Sequence, residues 1–445
     1  MGPEWVAIIA LVALFVIGTV LPINMGALAY VAAWLVGVYS LGLEEDEILD
    51  GVSADLILTL IGVTYLFAIA KNNGTVDLIV RSAVRAVGGR VALIPWVMFA
   101  VTALLTAIGA ASPAACAIIG PIALGFAGRY GISPLLMGMF VVHGAQGGGF
   151  SPISIYGLIT NSVMEDAGLP SDEITVFLAS LVVNTVMAAI LFVVLGGRDL
   201  MSRRIDADDP GSLEDEHDAD RAGGDVAARG HGTAATTAPP ATSDATGVRR
   251  DQVLTLLAFG AVAVIALVFD RNIGFVAITA AVLLAMLSPG EHKDAVRQIA
   301  WPTVLLVAGV STYASILTAA GSPEFVGSWA AGLGAVAIGA LVLCYVGGVV
   351  SAFASSTALL PVIIPIAVPL IADGGINAAL FVAALAVSST IVDVSPFSTN
   401  GALMLANKPD NIEEPVYYKQ ILTYSVIVVL VGPLLVWAAL VLPGW

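Results

Sequence analysis

Twenty-two consecutive residues, Ile174–Leu195, carry no charge, and a helix needs roughly 20 such residues to cross the hydrocarbon core of a bilayer. Comparable apolar runs fall near 4–20, 24–42, 54–70, 252–269, 274–288, 302–319 and 420–442. Lipid offers no partner for backbone N–H and C=O groups, so each run must satisfy them internally as a helix. With 58% of 445 residues hydrophobic and 11% charged, the chain exceeds what a soluble core of this length encloses. An all-α polytopic membrane protein is expected, with the lipid bilayer as its surroundings. No basic residue precedes the first run and no small-residue cleavage pattern follows it, which predicts a retained helix. Cys116 and Cys344 lie in apolar sequence without CxxC or Cys/His spacing, which predicts buried inert thiols, no disulfide framework and no metal site.

Charge gathers in one segment, 197–251, which contains LEDEHDAD and GTAATTAPPATSDATG and carries part of the net charge of −16. Such a stretch buries too little apolar area to order itself. Three regions are therefore expected: a first transmembrane repeat over 1–196, a disordered linker over 197–251 and a second repeat over 252–445. The repeat shows directly in the residues. SPAACAIIGPIA at 112–123 matches STALLPVIIPIA at 356–367, and FSPISIYG at 150–157 matches VSPFSTNG at 394–401, both at an offset of 244. Biased composition alone does not place Ser-Pro-x-Ser-x-x-Gly twice in one register.

Basic residues orient the halves. Five crossings plus one re-entrant hairpin in each half make the second repeat inverted. With both termini outside, Lys71, Arg81, Arg85, Arg90, Arg129, Lys293, Arg297, Lys408, Lys419 and the arginines of the linker then fall on the cytoplasmic side, as the positive-inside rule requires. Even numbers of crossings scatter these charges to both faces. A multi-pass protein of the cell membrane with a cytoplasmic linker is the expectation.

The punctuation of two apolar segments points to function. HGAQGGGFSPISIYG, 143–157, sets three glycines and Ser-Pro inside a membrane-grade helix, where each weakens the helix. Broken backbone at that depth is tolerated only where protein buries it or water reaches it, and paired breaks in inverted repeats mark secondary transporters. Each half is expected to hold a hairpin, about 91–127 and 335–371, turning at Ala111-Ser112-Pro113 or Ser355-Ser356-Thr357. Each is also expected to hold a crossing helix, about 134–164 and 377–406, broken at Gly147–Pro152 or Ile391–Pro396. Freed N–H groups at a half-helix N-terminus favour an anion, and freed carbonyls favour a cation.

With these features the chain resembles the divalent anion/sodium symporter family of the ion transporter superfamily, GGGFSPIS being most similar to its malonate or dicarboxylate carrier branch. Hairpin tips in that family carry Ser-Asn-Thr. Ser355-Ser356-Thr357 has Ser for Asn, and Ala111-Ser112-Pro113 departs further, losing the amide and one hydroxyl. The resemblance implies a secondary carrier of a small organic dianion coupled to Na⁺ or H⁺, with no resident cofactor. It leaves arsenite/antimonite or Na⁺/H⁺ transport as the alternative, and a homodimer as a possible assembly.

Ser112, Gln146, Ser151, Ser355, Ser356, Thr357, Ser395 and Ser398 are the candidate substrate ligands, and Asp393, Gly148, Gly149 and Ser154 the candidates for cation coupling. Asp393 is the one acid deep in an apolar segment, two residues before Ser395-Pro396, where an ionisable group is costly and functional by default; the alternative is a carboxylate that caps freed N–H groups. Its counterpart is Gly149. His143 is the only histidine of the membrane body and reads as a structural donor or a proton relay. An intramembrane enzyme is disfavoured by the absence of GxSG, HExxH and paired intramembrane aspartates. Nothing points to nucleic acid.

Overall fold

The computed structural model describes residues 2–21, 23–86, 90–170, 172–203, 249–269, 271–331, 336–352, 356–372, 376–409 and 411–443. Ser355 and linker residues 204–248 lie outside these. Among the described residues, and leaving aside helical segments of six residues or fewer, nine helices follow one another in each half. The first nine are α1 (Pro3–Val20), α2 (Met25–Val36), α3 (Ala54–Asn72), α4 (Thr75–Ala86), α5 (Leu93–Ala107), α6 (Ser112–Tyr130), α7 (Pro134–Gly148), α8 (Ile155–Asp166) and α9 (Glu173–Val194). The second nine are α10 (Arg250–Phe269), α11 (Ile273–Leu287), α12 (Trp301–Ala319), α13 (Ser322–Ala331), α14 (Val336–Ser351), α15 (Ser356–Ala372), α16 (Ala378–Ile391), α17 (Thr399–Ala406) and α18 (Glu414–Leu440).

Local sequence sets the ends of these helices in the same way in both halves. Asn24 and Asn272 cap α2 and α11 by accepting from backbone N–H groups, and Ser133 and Asn377 do so for α7 and α16. Each such bond satisfies a donor that the first helical turn leaves free. Among the described residues, six helices are long and apolar enough to cross a membrane by length and composition. The outer ones, such as α1, α9, α10 and α18, turn residues like Val16, Val182, Leu257 and Ile427 outward, the pattern of a face solvated by lipid.

Contacts between the halves come in pairs with the roles exchanged. Helix α3 packs on α11 as α12 packs on α2; α9 packs on α16 as α18 packs on α7; α6 meets α17 as α15 meets α8. Small residues allow the closest of these crossings: a Cβ on Gly62 meets the Gly274 carbonyl at 2.7 Å, and one on Gly309 meets that of Gly26 at 2.0 Å. Apolar burial gives helices little reason to associate in lipid, so such close backbone packing carries much of the association. Helices α7 and α16 lie at the centre, with every residue from Leu135 to Gly148 and from Phe381 to Ile391 buried.

The hairpins and breaks appear where the sequence puts them, with two local shifts. The first hairpin turns at Ile108–Ala111, where Gly109 takes a φ of +107°, and Ser112-Pro113 already open the returning helix α6. Proline fits there because the first turn has no use for its missing N–H. Gly147 and Gly148, expected to unwind, remain in α7, and Gly148 packs closely on α5. The gap in helix runs from Gly149 to Ser154 in the first half and from Val392 to Ser398 in the second.

Candidate functional site

The repeated Ser-Pro-x-Ser-x-x-Gly motif builds the same clasp twice. Ser151 Oγ donates to the Ala107 carbonyl at the first hairpin tip at 2.7 Å, and Ser395 Oγ to the Ala352 carbonyl at the second at 2.8 Å. Ser154 and Ser398 each donate to the carbonyl three residues back, at 2.7 and 2.8 Å, and receive the N–H of Gly157 or Gly401 at 3.4 Å. Ser154 also bonds the Gly149 carbonyl. A Cβ on Gly157 or Gly401 stands 2.0 or 1.9 Å from the carbonyl of Ser151 or Ser395, so only glycine admits the turn. All four hydroxyls direct their protons to backbone carbonyls: Ser151 and Ser395 fix each hairpin to its break, and Ser154 and Ser398 fold the break itself.

Above the clasps, the N-termini of four helices converge. Ser112 and Ser356 are the first residues of α6 and α15, and Tyr156 and Asn400 the second residues of α8 and α17. Asn400 Nδ2 donates to Ser112 Oγ at 2.7 Å and to Asp393 Oδ2 at 2.8 Å. Tyr156 is set toward the Ser112 and Ser356 hydroxyls, with Asp393 within electrostatic reach. Ser356 Oγ shares a 2.8 Å bond with Ser351 Oγ and lies 3.3 Å from the Ser389 carbonyl. Cys116, one turn along α6, is buried against Ser112. Asp393 faces the Ser398 hydroxyl and the Asn400 backbone N–H, so the carboxylate also caps α17. Thr357, half-buried beside Ser356, has a contact of its own.

The two halves fill the equivalent point differently. A Cβ on Gly149 comes within 2.8 Å of the Tyr156 ring. In the first half, then, the aromatic ring stands where a side chain at 149 would go, whereas the second half holds the Asp393 carboxylate. Gly148 keeps α7 close to α5: its Cβ meets the Ala103 carbonyl at 1.9 Å and Thr106 Oγ1 at 2.4 Å. Its role is packing. The corresponding glycine in the second half sits on the hairpin arm, where a Cβ on Gly347 meets Ser389 Oγ at 2.4 Å.

Gln146 is wholly buried with both side-chain amide atoms unpartnered, while its carbonyl accepts from Ser180 Oγ at 3.1 Å. His143 belongs to a separate network. Its Nδ1 lies 2.8 Å from Asn184 Oδ1 and its Nε2 2.6 Å from the Tyr424 hydroxyl. Asn184 donates its amide to the Ser180 carbonyl at 3.0 Å. Its oxygen must therefore accept, which puts the imidazole proton on Nδ1 and leaves Nε2 to accept from Tyr424. Both ring nitrogens are satisfied by neutral groups from α9 and α18, the arrangement of a structural histidine.

Tyr156 and Asn400 escaped the sequence reading, which took Cys116 only as a buried thiol. One signal was available: at the offset of 244, Tyr156 falls on Asn400, one residue before the matched glycines, and both are polar. Attention to identical pairs passes over a position where the repeats differ.

Residues 1–149 match the family model described as the dicarboxylate carrier protein MatC N-terminus, and residues 264–444 match that of the citrate transporter. No curated protein matches. Among solved structures 24 chains match; one, described as the Alcanivorax borkumensis YdaH transporter with an unusual topology, has a TM-score of 0.55 and 14% identity, covering 88% of this chain and 86% of that one. At that identity the likeness speaks for the fold alone. The two family matches fall on the two halves, the first similar to dicarboxylate carriers and the second to citrate transporters, and both descriptions are of membrane carriers.

Proposed function

We propose that the protein is a secondary active carrier of a small dicarboxylate, malonate or a C4-dicarboxylate, moved together with Na⁺ or H⁺. The observation that carries this reading is the meeting of four helix N-termini at Ser112, Tyr156, Ser356 and Asn400 beside the single carboxylate of Asp393. Aligned N–H groups and hydroxyls attract a carboxylate without a fixed cation. Asp393 repels it, and strongly so in a low dielectric. A proton or a bound cation on Asp393 removes that repulsion, so cation and anion bind with positive cooperativity. The substrate contacts are Ser112, Ser356, Thr357 and Tyr156, with Ser151 and Ser395 holding the tips in place and Ser154 and Ser398 shaping the breaks.

Exchange of inter-half contacts in pairs supports a second half inverted relative to the first, with alternating access around the shared site. The termini then lie outside and the linker on the cytoplasmic side.

A thermal-shift screen against malonate, succinate, malate, citrate, sulfate and arsenite, in Na⁺ and in choline at two pH values, tests the reading. A ligand at a hundredfold excess over its Kd stabilises by about 2.7 kcal/mol. A dicarboxylate should do so only with its coupling cation, and should support counterflow in proteoliposomes. Stabilisation by arsenite alone, or flux without counterflow, overturns the proposal.

A further inference from the structure

Asn400 is wholly buried, and only one edge of its amide is used: Nδ2 bridges Ser112 Oγ at 2.7 Å and Asp393 Oδ2 at 2.8 Å, while Oδ1 is buried with no partner. The bridged groups come from different segments, the first hairpin's return arm and the second break. Cys116 and Tyr156 are the other titratable side chains with reach to Asp393.

The orientation suits an ionised carboxylate, which can only accept. Once Asp393 carries a proton or a bound cation, the same position calls for an acceptor, and the amide provides one by turning over. The Ser112 hydroxyl adapts, since it both donates and accepts. The consequence lies on the other edge. Before the turn the free edge is a carbonyl, which repels an anion; after it the free edge is NH₂, which donates to one.

We propose that Asn400 is the positioning residue that couples the cation to the anion: neutralising Asp393 turns its amide, and the turned amide offers an N–H donor to the substrate carboxylate. This rests on Asp393 as the seat of coupling and adds the element that makes the cation create an anion donor as well as remove a repulsive charge.

Substrate affinity of the full-length protein, titrated with malonate or whichever dicarboxylate stabilises it, is measured with and without the coupling cation. Asn400→Leu should bind about tenfold more weakly with cation present, the contribution of one hydrogen bond to a charged group, and no more weakly without it, since the carbonyl that repels the anion is gone. Asn400→Thr, which keeps one hydroxyl for Asp393 but has no second edge, should give the same loss and serves if the leucine variant does not fold. Ser112→Ala should weaken binding in both conditions and keep their ratio, because the amide still responds to Asp393. Loss of that ratio in Ser112→Ala would place the coupling in the hairpin contact and overturn the relay. Full enhancement in Asn400→Leu, with Asp393→Asn insensitive to cation, overturns the relay alone. Native cation dependence in Asp393→Asn removes the seat and the relay together.

Discussion

Replacing Gly148 by alanine adds one methyl group where α7 crosses α5, and the neighbouring glycine supplies its control. The new Cβ stands 1.9 Å from the Ala103 carbonyl, and ordinary contact begins at 3.4 Å, so the two helices must part by 1.5 Å. A backbone carbonyl inside a helix cannot swing aside as a side-chain end can, and overpacking of this kind costs about 1–3 kcal/mol. Helix α5 ends at the first hairpin tip, whose Ala107 carbonyl is held by Ser151 at 2.7 Å, and a shift of that size takes the bond out of range. Gly147, one residue earlier, meets nothing closer than Asn184 Cβ at 3.4 Å; alanine there should gain up to about 1 kcal/mol of helix propensity. Uptake in proteoliposomes and thermal unfolding in detergent are the assays. Gly148→Ala should lose both stability and uptake, and Gly147→Ala should retain both. Equal behaviour of the two variants would refute the close-approach argument and return the glycines to a role as slack.

Ser356→Ala should abolish uptake while lowering stability by only about 1 kcal/mol; normal uptake removes Ser356 from the site. Tyr156→Phe keeps the ring that fills the space at Gly149 but lacks the hydroxyl, and should weaken substrate affinity about tenfold with unchanged unfolding; unaltered affinity makes Tyr156 a packing residue. Asp393→Asn should bind substrate without regard to Na⁺ or pH, tested by affinity across both series, and a retained dependence would leave Asp393 as the cap of α17. Tyr424→Phe leaves His143 Nε2 without its donor and should cost about 1–3 kcal/mol of stability, with the pH profile of transport unmoved; a shifted profile would mean that His143 relays protons.

The residues themselves settled the membrane setting, the helical class and, to within a few residues, the position of both breaks. Each of these follows from local chemistry. Charge-free stretches such as Ile174–Leu195 admit one backbone solution in lipid, and Ser-Pro-x-Ser-x-x-Gly recurs because its hydrogen bonds run mostly within seven residues. The clasp of Ser151 and Ser395 on the hairpin tips, by contrast, joins residues more than forty positions apart. Nothing in the sequence showed whether those hydroxyls would face a ligand or a carbonyl. The glycines of GGGFSP were legible as special, yet only the crossing with α5 decided that Gly148 serves packing within a continuous helix. Likewise Asp393 stood out alone, but its partner Asn400 and the Ser112 hydroxyl 288 residues away in sequence came to it through folding. A site built from the first residues of four helices has no linear signature, because what unites those residues is where their helices begin in space.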